Sequence, residues 1–225
     1  MKNSNVKKLT VTAMICALSI VAMFVFRFNV MFLTFDFKDA VMAIAALIYG
    51  PLTGIACVAA TTIIESLTVG DTGIYGLIMD FISSSTFVVL CGLIYKYKRS
   101  FSGAIIAAIC TVIAGPAVMV AANLIITPLY LENTTIHDVV KMIIPLLLPF
   151  NVSKALMNSA LMLIIYKPLS TILKKTGLIK ASDSDKKFVF TVKTIVLVVV
   201  SCIILVLTSL FIVFYLNGDI TVFQN

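Results

Sequence analysis

The chain has 225 residues, of which 61% are hydrophobic and only 12% charged, and its mean hydropathy is +1.13. A soluble domain carries about 25% charged residues, so a soluble fold is excluded, and no polar stretch is long enough to bury a core of its own. The net charge of +7 comes from short basic flanks between apolar runs, the pattern of membrane topology determinants rather than of a nucleic-acid surface.

Residues 1–8 form a basic tail. The apolar run 9–28 has about the ~20 residues that a spanning helix needs. Lys7 and Lys8 precede it as in a signal peptide, but no small-x-small cleavage site follows, so it reads as a retained helix. Ala13 and Ala17 give it a small-xxx-small face. Such a face admits a close helix neighbour, either from another subunit or from within the bundle.

In residues 29–39 phenylalanine alternates with polar residues. This is either an interfacial aromatic segment or a loop capping a cavity. Asp39 is the expected N-cap of a short helix, 40–49, and Gly50-Pro51 ends it and starts the next. The third span, 52–67, carries Thr61, Thr62 and Glu65 at its far end. These two helices are short, so they are expected to be tilted or tucked into the bundle.

Gly70, Asp71 and Gly73 mark a turn before the fourth span, 74–95. Gly76, Asp80, Ser83 and Ser84 share one of its faces. An intramembrane aspartate needs a partner, and Lys154 is the expected one. After the basic loop of Lys96, Lys98 and Arg99 comes the fifth span, 101–130, with expected interruptions at Gly115-Pro116 and Pro128. Asn123, Thr127 and Tyr130 fall at i, i+4 and i+7, one polar face.

The sixth span, 142–166, contains Pro145 and Pro149 and then Asn151, Lys154 and Asn158 at i, i+3 and i+7. A lysine at a membrane helix centre costs ~2.5–3.5 kcal/mol on insertion scales and marks a functional candidate. We therefore read this face as the lining of a ligand cavity. Residues 167–187 are basic and flexible-looking, and 188–216 is a seventh apolar run.

Lys2, Lys7 and Lys8 share a side with Lys96, Lys98, Arg99 and the 167–187 stretch, while Arg27, Lys38 and Lys141 lie opposite, near the span ends. The positive-inside rule then puts the N-terminus in the cytoplasm and the C-terminus outside. The cavity should open outward.

The cysteines (Cys16, Cys57, Cys91, Cys110, Cys202) lie in apolar runs without CxxC spacing, and His137 is the single histidine. They read as small buried hydrophobes, and no metal site is expected. No nucleotide-hydrolysis motif is present. The chain is thus a transporter, a binding subunit of a larger machine, or a membrane enzyme.

An ordered set of segments resembles one family, the substrate-binding S components of energy-coupling factor (ECF) vitamin transporters, of the riboflavin-specific type. The segments are Thr12-Ala13-Met14 through Ala17, Phe32-Leu33-Thr34-Phe35-Asp36-Phe37-Lys38-Asp39, Tyr49-Gly50-Pro51-Leu52-Thr53-Gly54, Gly73 through Asp80-Phe81, Asn123 with Pro128-Leu129-Tyr130, and Pro149-Phe150-Asn151 through Lys154. They span residues 6–175. Two features depart from the pattern: the run 188–216, beyond the six helices the family usually has, and Asp80, where an amide is more usual.

The resemblance implies an all-α polytopic membrane protein. A six-helix riboflavin-binding bundle would fill residues 1–175, a cytoplasmic linker 176–187, and an extra transmembrane helix with its tail 188–225. It implies a subunit of the bacterial cell membrane that takes riboflavin from outside and delivers it through an ATP-driven transporter. Its partners would be a membrane scaffold subunit, two ATPase subunits and the lipid bilayer. Riboflavin would be cargo, with no cofactor, no catalytic residue and no nucleic acid.

Family positions place Asn123 and Lys154 on the flavin and Ala13 and Ala17 on the scaffold. The remaining ligand candidates are Asn151, Thr34, Phe35, Asp36, Glu65, Asp80, Thr127, Tyr130 and Asn158. A lysine can donate to the flavin edge, an amide can both donate and accept, and the ribityl hydroxyls need scattered polar partners. Another vitamin, or the flavin nucleotide FMN, is the alternative ligand. A small lipid enzyme built on Glu65, Asp71 and Asp80 is the other alternative.

Overall fold

The computed structural model describes residues 2–25, 27–70, 73–175, 192–215 and 219–220. Asp71 and the expected linker 176–187 lie outside these residues. Eight α-helices follow one another: α1 (Lys2–Val25), α2 (Lys38–Tyr49), α3 (Pro51–Thr68), α4 (Gly73–Tyr97), α5 (Phe101–Tyr130), α6 (Ile136–Met142), α7 (Leu148–Lys175) and α8 (Val192–Tyr215). Three short strands accompany them: β1 (Phe28–Val30), β2 (Leu33–Phe35) and β3 (Asp219–Ile220).

Among the described residues five stretches are long and apolar enough to cross a bilayer: Asn5–Val25, Pro51–Thr68, Gly73–Tyr97, Ser102–Tyr130 and Ile136–Tyr166. With 12 residues, α2 is about 18 Å long, less than the ~30 Å hydrocarbon core. It is instead the buried centre of the bundle, packed against α1, α3, α4 and α7. Every residue from Lys38 to Leu47 is buried, and alanines at 40, 43, 45 and 46 let four helices approach closely.

The turn out of α2 is made by Gly50, whose φ of 95° suits a residue without a Cβ. Pro51 then stands at the start of α3, where its missing N–H leaves no bond unmade. A Cβ on Gly54 would lie 2.7 Å from the Ala46 Cβ, so α2 and α3 touch almost backbone to backbone.

Helix α2 starts at Lys38, earlier than expected, and its N-cap position is Phe37 without a side-chain cap. Asp39 does not cap it; its Oδ1 accepts from Ser84 Oγ at 2.5 Å and ties α2 to α4. The fifth span is likewise different from the expectation. Helix α5 runs unbroken through Pro116 and Pro128, as membrane helices allow when neighbours re-satisfy the freed carbonyls.

The prolines of the sixth span do leave a mark. Thr135 and Asp138 cap α6 reciprocally, and a π-helical turn, Ile143–Leu147, joins it to α7. Pro145 lies within that turn. A proline can neither donate to the carbonyl four residues back nor fit beside it, and the wider π turn absorbs the misfit. Asn151 and Lys154 follow directly, so this turn sets their direction.

Strands β1 and β2 form an antiparallel hairpin in the register Phe28↔Phe35, Asn29↔Thr34 and Val30↔Leu33. Its two-residue turn, Met31-Phe32, needs a left-handed residue, and Met31 supplies it at φ 53°. The stretch expected as an aromatic segment or capping loop is this hairpin. On the other edge of β1 lies β3, paired Phe28↔Ile220 and Asn29↔Asp219. Helix α8 packs on α7, and its Leu205 joins the apolar cluster of Val30, Phe35, Leu146, Phe150 and Met157 beneath the hairpin.

Candidate functional site

A cavity of about 180 Å³ lies between the hairpin and the ends of the long helices. Arg27 and the hairpin residues Asn29 and Met31–Thr34 cover it. Thr62, Glu65 and Gly70 of the α3 end, Gly73, Gly76 and Asp80 of α4, Met119 and Tyr130 of α5, and Phe150, Asn151 and Lys154 of α7 form its walls. Glycines at 73 and 76 keep the α4 wall flat, and the aromatic side is built around Tyr130. Its ring stacks on Tyr75 at 6.1 Å and 23° and meets Phe32 edge-on at 6.3 Å and 71°.

Behind and between these walls runs an ionic network. The Lys38 Nζ lies 2.9 Å from Asp36 Oδ2, 2.7 Å from Glu65 Oε2 and 2.7 Å from Asp80 Oδ1. The ammonium donates to Asp36 and Asp80 and forms an ion pair with Glu65, so it meets carboxylates from three different parts of the chain. The Lys38 side chain is 0% exposed. Lys154 Nζ shares Asp36 Oδ2 at 3.3 Å and also reaches the Thr34 carbonyl at 3.3 Å. Arg27 reaches Glu65 Oε1 at 3.4 Å and donates to the Val69 carbonyl at 2.9 Å.

Three cations and three carboxylates are thus ion-paired in a low-dielectric setting, where a lone charge would be costly. In the loop before α2, burial pushes the Asp36 carboxyl up. The ammonium groups of Lys154 and Lys38 outweigh it and hold Asp36 below the usual carboxylate range.

The carboxylates of Asp36, Glu65 and Asp80 converge within 4.8 Å, a spacing that could hold a cation. That place is taken by the Lys38 ammonium. Lys154 is different: two of its three donors face protein oxygens, and its head lies on the cavity wall. It can give a hydrogen bond to a ligand without breaking the network.

A family model described as "ECF transporter, substrate-specific component" matches residues 7–166. The chain belongs to this family. Among proteins similar to it is "Riboflavin transporter RibU" of Staphylococcus aureus (strain TCH60), 27% identical over 179 residues, covering 75% of this chain and 93% of that one. Another is "Riboflavin transporter FmnP" of Bacillus subtilis (strain 168), 28% identical over 172 residues, covering 72% and 90%. A solved structure, described as "Structure and mechanism of the S component of a bacterial ECF transporter", superposes with a TM-score of 0.63. It is 26% identical and covers 77% of this chain and 99% of its own. The family is one of multi-pass membrane transporters, and the apolar helices agree with it.

In this substrate-specific component the residues expected to bind ligand fall into two groups. Thr34, Glu65, Asp80, Tyr130, Asn151 and Lys154 line the cavity. Asn151 Nδ2 is held by the Leu147 carbonyl at 2.7 Å, in the π turn. The others are buried around the cavity. Asp36 is the hub joining Lys38 to Lys154, and Phe35 packs edge-on against Phe150 at 5.5 Å.

Asn123 and Thr127 are satisfied on their own helix: Asn123 Nδ2 donates to the Met119 carbonyl at 2.7 Å, and Thr127 Oγ1 donates to Asn123 Oδ1 at 2.9 Å. Asn158 donates to the carbonyls of Asp36 and Lys154 and accepts from the Ala40 N–H. It bolts α7 to the start of α2.

One pairing differs from expectation. The partner of Asp80 is Lys38, not Lys154, because α2 and not α7 presents an ammonium to that side of α4. Lys38 is the first residue of α2 and is fully buried, and sequence reasoning passed over it as a site residue, together with Arg27. The signal was there: Lys38 stands between Phe37 and Asp39, with Asp36 two residues before it and an apolar run from Ala40 after it. The cost argument applied to Lys154 holds equally for it.

Proposed function

We propose that this substrate-specific component captures riboflavin from outside the cell and hands it to a scaffold subunit driven by two ATPase subunits. The supporting observation is the cavity itself. It sets an aromatic side (Phe32, Tyr130) for a planar ring beside the Lys154 donor and the Glu65 and Asp80 acceptors, in a family whose named relatives include riboflavin transporters. In this reading riboflavin is cargo, and the chain is a binding subunit rather than an enzyme.

The outward faces of α1 support a docking role. Ala13 and Ala17 are exposed, while Val11, Ile15, Ser19 and Met23 point into the bundle. A flat small-residue face accepts another helix. The charge distribution supports a cytoplasmic N-terminus. The position of β3 beside the hairpin supports an outward C-terminal end, with α8 as the returning helix.

Titration of the purified protein with riboflavin tests this, with quenching of flavin fluorescence as the readout. Tight, saturable quenching is expected. No binding at micromolar riboflavin, with thiamin or biotin bound instead, would refute it. FMN is the second reading, favoured by a cation, Arg27, on the cavity wall, since a phosphate adds negative charge. The same titration with FMN decides between them.

A further inference from the structure

We propose that Lys38 is the positioning residue of this cavity: from behind the wall it holds Asp80 and Glu65 as acceptors for the hydroxyl donors of the ligand's polyol chain. The inference rests on the flavin reading and adds to it the residue that makes the polyol subsite.

Lys38 cannot touch the ligand itself. Its side chain is 0% exposed; it donates to Asp36 Oδ2 and Asp80 Oδ1 and forms an ion pair with Glu65 Oε2 at 2.7 Å. Two of those carboxylates, Glu65 and Asp80, are on the cavity wall. Asp80 binds Lys38 through Oδ1 alone, and its buried Oδ2 has no hydrogen-bond partner among the described residues. A buried acceptor left open in this way is costly, and the residue that carries it lines the cavity.

Charge explains why the lysine has to be there. Three carboxylates within 4.8 Å repel one another, and the ammonium at their centre offsets that repulsion and holds Glu65 and Asp80 in place on the cavity wall. Glu65 and Asp80 are acceptors on the same wall, so the subsite suits a donor-rich chain.

The test compares riboflavin with lumiflavin, which has the same ring system with a methyl group in place of the ribityl chain. In wild-type protein, riboflavin should bind at least tenfold more tightly. Lys38→Met should weaken riboflavin at least tenfold and leave lumiflavin within about twofold, so that discrimination collapses. Asp80→Ala, which keeps Lys38 paired with Asp36 and Glu65, should do the same to a lesser degree. Lys38→Arg, which keeps the cation, should keep the discrimination.

Equal weakening of both flavins in Lys38→Met and Asp80→Ala would make the cluster merely structural and overturn the proposal, as would unchanged riboflavin affinity. If Lys38→Met is not recovered folded, Asp80→Ala carries the decision by the same two criteria. Wild-type protein that binds neither flavin would instead refute the flavin reading, and the proposal with it.

Discussion

The two ends of the bundle are built on opposite principles. At the end away from the hairpin, α2, α3 and α4 meet through small residues. Gly54 and Gly92 both face Ala46, Val88 and Cys91 are fully buried, and the Tyr95 and Tyr166 hydroxyls hydrogen-bond each other. At the hairpin end the same helices stand apart around a cavity and an ionic network. The first end gains by close contact, which is the main source of helix association in lipid. The second gains little net stability from its charges, since desolvation offsets their attraction. It keeps them because a ligand site needs open donors and acceptors.

That contrast can be broken most severely at Asp36, the hub that Lys38 and Lys154 share. Removing one partner of a buried ion pair costs about 3–5 kcal/mol. Asp36→Ala should lower the melting temperature in detergent and abolish riboflavin binding together. Because Asp36 is held below the usual carboxylate range, its contribution is fully present above its unfolded value of about 4 and is lost as pH falls through the folded value. The melting temperature of wild type should therefore drop on acidification over that range, and Asp36→Ala should show a smaller drop.

Lys154→Met is the next largest effect. It keeps the stem and removes a charged donor, with an expected loss of about 1.5–3 kcal/mol of riboflavin affinity. Isothermal titration of the folded variant measures it. Unchanged affinity would leave Lys154 as a strut for Asp36 and the Thr34 carbonyl.

Gly54→Ala sharpens the comparison from the other end. Its Cβ would press on Ala46 and Val88, and overpacking costs about 1–3 kcal/mol. Melting should shift downward while riboflavin affinity stays near wild type. A large change in affinity would show that the packed end controls the cavity.

The smallest effect on binding is expected on α1. Ala13→Trp and Ala17→Trp enlarge exposed positions, so ligand affinity should not move. Uptake by cells carrying the full transporter should stop, and co-purification of the scaffold should fall in parallel. Normal transport by both variants would refute the docking face.

Several site residues were legible because a local rule flags them. Lys154, Asn151 and Asp80 are polar groups inside apolar runs, and each lines the cavity. Asn158 was flagged by the same rule, yet its hydrogen bonds go to the Asp36, Lys154 and Ala40 backbones. Helical spacing puts Asn151, Lys154 and Asn158 on one face but does not say where the face leaves the cavity and enters the packed bundle. The interruptions expected in α5 are absent, whereas Pro145, for which no interruption was expected, lies in a π-helical turn before α7. The backbone around a membrane proline is shaped by its neighbours, which no single span encodes.

By itself the sequence determined the membrane class, the order of the apolar helices and the shortness of α2, and its motif segments carried the family resemblance. The first three follow from hydropathy and chain order, because a bilayer forces each segment to satisfy its own backbone. Only the tertiary structure decided which charges meet. Lys38 finds Asp80 across 42 residues and Lys154 finds Asp36 across 118, and Leu205 of α8 reaches the cluster under the hairpin. Opposite charges attract without regard to sequence distance, so their pairing is set by how the helices pack.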